Sequence, residues 1–318
     1  MKRLVVLAVI AMGVFVAAGC GGGALSAGGG EDEELYVFLP KSLDNPYWFD
    51  ARKGMNAEAK ELGVTAEFLG PQTADAGKQV EIFENALNRN PAGIAVSAND
   101  PETVKATIAR AREMNIPVLA WDSEVPDSEV LAYVGTDNVA AGEQAAEALA
   151  KTMNEKGTVG VLAGSVTALN ARQRLDGLKK GLKQYPDIEI VTTEITNESV
   201  STATSKAESL LQAQSGIDAL FGVTGADAPG AALAVKQAGN CGDTQVVGFD
   251  VVPQGVELMK EGCIQGLISQ KPYGMTRQAL KMLHSLDKGE ELERKAVDTG
   301  VLTVYEDNLN QFLKEAPH

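Results

Sequence analysis

The sequence predicts an α/β protein built as two doubly wound lobes with parallel sheets. Three observations carry that prediction. Apolar runs without polar alternation recur along the chain, as expected of strands covered on both faces. A stretch with helical spacing follows most of them. The alternation runs through residues 35–134 and then starts again at 158, so two successive sets of βα units are present.

In order, residues 35–39 form an apolar strand, 47–62 a helix closed by Gly63, 64–69 a strand, 77–89 a helix and 93–96 a strand. Residues 101–114 form a helix that opens on Pro101, where the missing N–H leaves no bond unmade. Residues 117–121 and 131–134 complete the first set of strands. The second set takes strands at 158–163, 188–193, 219–223, 245–249 and 264–269. Its helices lie at 169–182, 202–213, 228–238, 253–260 and 275–286. Two strand-like pieces near 297–304 and a short helix close the chain.

The amino terminus reads differently. Met1-Lys2-Arg3 is cationic, and residues 4–18 form an apolar run of about 15, right for a signal-peptide core and too short to span a bilayer. It ends in Val16-Ala17-Ala18-Gly19-Cys20, which resembles a bacterial lipobox in which Cys20 is lipidated. An export signal that happens to end in Cys is the alternative. Residues 1–19 are thus expected to be a lipoprotein signal peptide, and 20–34, rich in Gly and ending in acids, a flexible tether. About 300 residues remain, enough for two core-bearing domains. The net charge is −15 with no Lys/Arg-rich run, so nucleic acid and anionic lipid surfaces are poor partners. Cys241 and Cys263 each precede a predicted strand. In a parallel pair both would sit at one end of the sheet, so a disulfide is plausible, worth about 3 kcal/mol, with two free thiols as the alternative.

Open α/β sheets bind ligands beyond the carboxyl ends of their strands. The residues there are Asp44 through Trp48 after the first strand, Ser97 through Asp100 after the third, and Asp122-Ser123 after the fourth. In the second half they are Thr224 through Asp227, Asp250 and Gln270, with Arg172 and Arg174 opening a helix. Carboxylates accept charge-assisted bonds from vicinal hydroxyls, while Arg and amides donate to hydroxyl and ring oxygens. Tyr47 or Trp48 would cover a C–H face of a sugar ring. The competing readings are core packing for Trp48 and Trp121, helix capping for Asp122 and Asp250, and a surface charge for Arg174. Asn197-Glu198-Ser199 reads as a loop without function.

With Leu43 through Trp48, Asn115 through Val118, Tyr133 through Asn138, Val247 through Asp250 and Ile268 through Tyr273 in this order and spacing, the chain resembles the periplasmic sugar-binding proteins of the ribose/galactose type, the solute receptors of ABC importers. The resemblance covers the chain from about Leu35 to its end. It implies the type I periplasmic binding fold, with a hinge crossed near Thr136, Gln270 and Gly300. One lobe would hold 35–136 plus 271–300, the other 137–270 plus 301–318. It implies sugar contacts from Asn45, Tyr47, Trp48, Ser97 and Asp122 of the first lobe, and from Arg174, Thr224, Asp250 and Gln270 of the second lobe and hinge. Thr136 would lie near a crossover and Asp227 close to Thr224. Three positions depart from the pattern. An Arg that commonly follows the fourth-strand Asp is Ser123 here, and amides are replaced by Ser97 and Thr224. These departures point away from ribose, toward another sugar, a sugar alcohol or an autoinducer-like diol.

The expected protein is an exported, lipid-anchored monomer that hands its ligand to a permease and needs no cofactor and no metal. A sensory receptor working with a chemoreceptor or sensor kinase is the alternative. A repressor effector domain would need an amino-terminal helix-turn-helix where this chain has glycines. An enzyme is not expected. Its only histidines are His284 and His318, and no nucleophile elbow, His-Glu-x-x-His, dinucleotide turn or phosphate loop occurs.

Overall fold

A computed structural model describes residues 34–213 and 216–315. The expected signal peptide, most of the tether and Cys20 lie outside them. In the first half β1 (Leu35–Leu39), α1 (Tyr47–Leu62), β2 (Thr65–Phe68), α2 (Ala76–Leu87), β3 (Gly93–Val96), α3 (Pro101–Glu113), β4 (Val118–Trp121) and β5 (Tyr133–Gly135) follow one another. The second half runs α4 (Asn138–Thr152), β6 (Gly157–Ala163), α5 (Leu169–Leu182), β7 (Ile188–Ile195), α6 (Val200–Ala213), β8 (Ala219–Gly222), α7 (Asp227–Gln237), β9 (Gln245–Phe249), α8 (Pro253–Lys260) and β10 (Gly266–Ser269). The chain then continues through α9 (Pro272–Asp287), β11 (Ala296–Asp298), β12 (Leu302–Val304) and α10 (Glu306–Glu315).

Among the described residues the strands form two sheets, ordered β11-β5-β4-β3-β1-β2 and β12-β10-β9-β8-β6-β7. Counted along each sheet the two orders match, so β4 of one lobe takes the position of β9 in the other. All pairs are parallel except β10 with β12. The chain passes between the sheets after β5, after β10 and between β11 and β12. Each sheet has an apolar layer on both faces, which is why strands such as β3 and β8 are buried at every residue.

Local chemistry sets the helix ends. Asp75, Asp100 and Asp137 cap α2, α3 and α4 by accepting from Lys78, Glu102 and Ala140 backbone N–H groups. Gly63 ends α1 in the left-handed conformation at φ 72°. The sequence reading had no helix at 138–152, where α4 stands. Its buried face consists of Asn138, Gly142, Leu149 and five alanines, so no stripe of large apolar residues announces it. The small residues serve packing against α5. A Cβ on Gly142 would lie 2.2 Å from the Arg174 carbonyl, and one on Gly177 2.1 Å from the Val139 carbonyl.

Cys241 and Cys263 are disulfide-bonded, with Cα atoms 4.4 Å apart and a sequence separation of 22. The bond joins the segments that lead into β9 and β10 within the second lobe.

Candidate functional site

The residues at the carboxyl ends of the strands meet between the two sheets. From the first lobe, the turn after β1 supplies Lys41, 3% exposed, and Asn45, also 3% exposed. Asn45 accepts from the Tyr47 N–H at 3.1 Å, which fixes the entry to α1. Tyr47 and Trp48 then open α1 as a buried aromatic wall. Trp48 meets Tyr47 edge to face at 4.8 Å and Trp121 at 5.3 Å, and Trp121 leans on Phe38 and Phe68. Trp121 is therefore a core residue that backs Trp48, and Trp48 packs into the same core. The indole N–H groups of both are buried without a hydrogen-bond partner among the described residues.

Asp122 follows β4 and Asp250 follows β9, the equivalent strand. Both adopt the left-handed conformation, at φ 60° and 69°. Non-glycine residues seldom hold it, and it concentrates where function demands it. Neither aspartate caps a helix: the cap position of α8 is Val252, and Asp250 instead accepts from the Gln270 amide at 2.9 Å. Asp122 accepts from Ser97 Oγ at 2.7 Å and from Asn170 Nδ2 at 3.2 Å, and pairs with Lys41 Nζ at 3.3 Å. Asn170 belongs to α5, so this network already joins the lobes. Lys41 extends it by donating to Asn170 Oδ1 at 2.7 Å.

Arg174 on α5 is 2% exposed. Its Nε donates to Asn138 Oδ1 at 2.9 Å, its Nη1 to the Val223 carbonyl at 3.1 Å, and its guanidinium lies over the Phe249 ring at 4.3 Å. The close α4–α5 approach through Gly142 and Gly177 brings Asn138 within reach. Arg174 Nη2 is buried with no hydrogen-bond partner among the described residues. Arg172, one of the two arginines read at this helix start, is exposed.

Burial pushes the Asp250 carboxyl up to about 6 against the pull of Arg174, with Asp122 and Glu198 adding to the rise. Asp227, wholly buried at the start of α7, accepts from Thr196 Oγ1 and from the Thr224 N–H and hydroxyl at 2.9 and 2.8 Å. Its burial outweighs those bonds and raises it to about 7. The Tyr47 phenol is pushed well up, first by burial and then by Asp122 and Asp250. At the hinge, Thr136 Oγ1 donates to Gln270 Oε1 at 3.0 Å. One chain of bonds thus runs from the first crossing through the second to Asp250.

The structure brings together Asn45, Tyr47, Trp48, Ser97, Asp122, Arg174, Asp250, Gln270 and Thr136, with Thr224 and Asp227 as a buried pair behind. Glu198, read as part of a functionless loop, is 4% exposed and meets Asn45 Nδ2 at 3.4 Å and Lys41 Nζ at 3.9 Å across the lobes. Strand β7 runs to Ile195, two residues beyond the expected end, so Glu198 stands in a strand-end loop like the others. Lys41, Asn138 and Asn170 were missed as well. Lys41 directly follows Pro40 at the end of β1, a signal the strand-end rule could have used.

Such an arrangement, polar strand ends of two α/β lobes brought face to face, suits a binding protein for a small polar ligand. The pattern of the periplasmic binding protein domain matches residues 36–291, and the chain belongs to that family, as its motifs had indicated. It is 28% identical over 284 residues, 84% of this chain and 91% of the other, to the D-allose-binding periplasmic protein of Escherichia coli. Among solved structures it is similar to GanP, a glucose-galactose binding protein from Geobacillus stearothermophilus, at TM-score 0.82, 32% identity and 88% and 99% coverage of the two chains. It is also similar to an ABC transporter solute binding protein from Burkholderia graminis in complex with D-arabinose, at TM-score 0.83, 33% identity and 87% and 96% coverage.

Proposed function

We propose that this chain is the extracytoplasmic substrate-binding lipoprotein of an ABC importer, which closes its two lobes around a neutral sugar or similar polyol and delivers it to the permease. The observation that carries the reading is the pair Asp122 and Asp250. They end equivalent strands of the two sheets, share the left-handed conformation and lie buried in one network with Arg174, Asn45 and Gln270. Two carboxylates approaching from opposite lobes suit the vicinal hydroxyls of a monosaccharide, and Arg174 Nη2 supplies a donor for a ring or hydroxyl oxygen. The buried Tyr47–Trp48 wall offers an apolar face for C–H groups. The ligands in the names of the three relatives are monosaccharides, which supports the class. The Val16-Ala17-Ala18-Gly19-Cys20 sequence supports attachment through a lipid on Cys20.

A thermal-shift screen of the mature chain against aldopentoses, aldohexoses and polyols tests the reading. A ligand at a thousandfold excess over its Kd stabilises the folded chain by about 4 kcal/mol. Asp250→Ala is expected to abolish the shift while the unliganded variant keeps its fold. A full shift in that variant overturns the assignment of Asp250.

A further inference from the structure

The charged groups that converge on the site do not balance. From the first lobe come Lys41 after β1 and Asp122 after β4. From the second come Arg174 on α5, Glu198 after β7 and Asp250 after β9, while Asp227 lies behind them, bonded to Thr196 and Thr224. All are at most 5% exposed. Three carboxylates thus face two cations. Asp122 is matched by Lys41 at 3.3 Å, and Asp250 lies within the field of Arg174. Glu198 has only a distant share of Lys41, at 3.9 Å, and one long bond from Asn45.

Glu198 is nonetheless held in place. Asn197 and Glu198 are successive left-handed residues, at φ 54° and 56°, and the Glu198 N–H donates to the Gly164 carbonyl at 3.1 Å. A Cβ on Gly164 would meet Glu198 Cγ at 2.8 Å and Thr224 Cγ2 at 2.6 Å. The missing side chain there makes room for the Glu198 stem beneath the site. The first lobe presents rings, and this carboxylate stands on the opposite wall.

We propose that Glu198 is a specificity-determining residue that gives the site an acidic excess, so that it admits neutral polyols and excludes their anionic counterparts, uronates and sugar phosphates. This rests on the sugar-receptor reading above. A carboxylate or phosphate placed about 5 Å from an unbalanced buried carboxylate meets repulsion equivalent to about a hundredfold in affinity. Hydroxyl groups instead donate to it.

Calorimetric titration of the full mature chain decides the point. The probes are D-glucose, D-galactose, D-allose, D-arabinose and D-ribose, each beside its terminal phosphate ester, and the first two also beside their uronates. A neutral sugar is expected to bind at least about a hundredfold more tightly than its anion. In Glu198→Gln that ratio is expected to fall about tenfold or more, whatever happens to the neutral affinity, and in Lys41→Met it is expected to rise. Should E198Q not fold, E198A serves in its place. An anion that binds the wild type within about tenfold of its parent leaves the sugar reading standing and overturns charge selection. Exclusion that E198Q leaves unchanged overturns the role of Glu198, since bulk alone would account for it. If no neutral sugar or polyol binds, the sugar reading fails and this inference fails with it.

Discussion

The two lobes share a strand order and the same left-handed aspartate after equivalent strands, yet they furnish the site in different ways. The first lobe contributes its rings. Tyr47 and Trp48 rest on Trp121, Phe38 and Phe68, so this aromatic wall is continuous with the hydrophobic core. The second lobe contributes most of its charge. Arg174, Glu198, Asp227 and Asp250 are buried there and held chiefly by side-chain and backbone bonds, with Arg174 also lying over the Phe249 ring. A wall made of core is stiff because moving it would open a cavity. A wall made of buried charge depends on protonation and on partners, some of them across the cleft.

Mutations at Trp48 press hardest on this contrast. Trp48→Ala removes a side chain 3% exposed from a packed aromatic stack and is expected to destabilise the folded chain by about 3–5 kcal/mol. Urea unfolding measures it. Trp48→Phe, which keeps a ring, should lose far less. A truncation that weakens sugar binding without reducing stability would separate the wall from the core and break the comparison.

Removing the disulfide probes the other lobe alone. Replacing both Cys241 and Cys263 with Ser is expected to lower stability by about 3 kcal/mol, because the bond constrains the unfolded chain. Hydrogen exchange should quicken mainly around β9, β10 and α8, while β1, β3 and β4 of the first lobe keep their protection. Equal loosening of both sheets would show that the lobes unfold as one unit.

Much of this contrast was legible in the sequence, and what escaped did so for physical reasons. Uninterrupted apolar runs marked the strands, and the polar residues just past them marked Asp122, Asp250 and Gln270. Helix α4 escaped because its buried face is chiefly Ala and Gly, which periodicity does not weigh. Lys41 escaped because a long cation usually lies on the surface, and its partners Asn170 and Glu198 are remote in sequence. Glu198 escaped because β7 is exposed on alternate residues, which blurs its end. Cross-lobe partners cannot be read from local pattern. They appear only when two strand-end loops from different sheets are brought together.

Protonation gives an effect that is graded in pH and belongs to the second lobe. Asp227 and Asp250 are raised by burial to about 7 and about 6, from an unfolded value near 4. Between about pH 4 and those values the folded chain holds protons that the unfolded chain has released. Each group therefore favours folding below about pH 4, and its contribution is lost as pH rises through the folded value, at about 1.4 kcal/mol per pH unit. Asp227→Asn is expected to be less stable-to-pH coupled by that slope between pH 4 and 7, seen as the difference between its Tm profile and that of the wild type. Parallel profiles would mean that Asp227 is ionised in the folded chain across that range and that burial does not hold its proton.

The smallest expected effect lies where the lobes join. Thr136 stands at the first crossing, Gln270 at the second, and the bond between them at 3.0 Å leads on to Asp250 through the Gln270 amide at 2.9 Å. With the Thr136 hydroxyl donating to Gln270 Oε1, the amide is oriented with its N–H toward Asp250. Thr136→Val keeps the shape and removes the donor, leaving a buried carbonyl oxygen unpaired at a net loss of about 1 kcal/mol. Because the bond spans the hinge, that loss should fall on closure more than on either lobe. Sugar affinity is then expected to drop several-fold while hydrogen exchange within each sheet stays as in the wild type. If exchange in the second sheet quickened instead, Thr136 would be acting as ordinary core support, and the division of labour between a stiff lobe, a charged lobe and a bonded hinge would have to be redrawn.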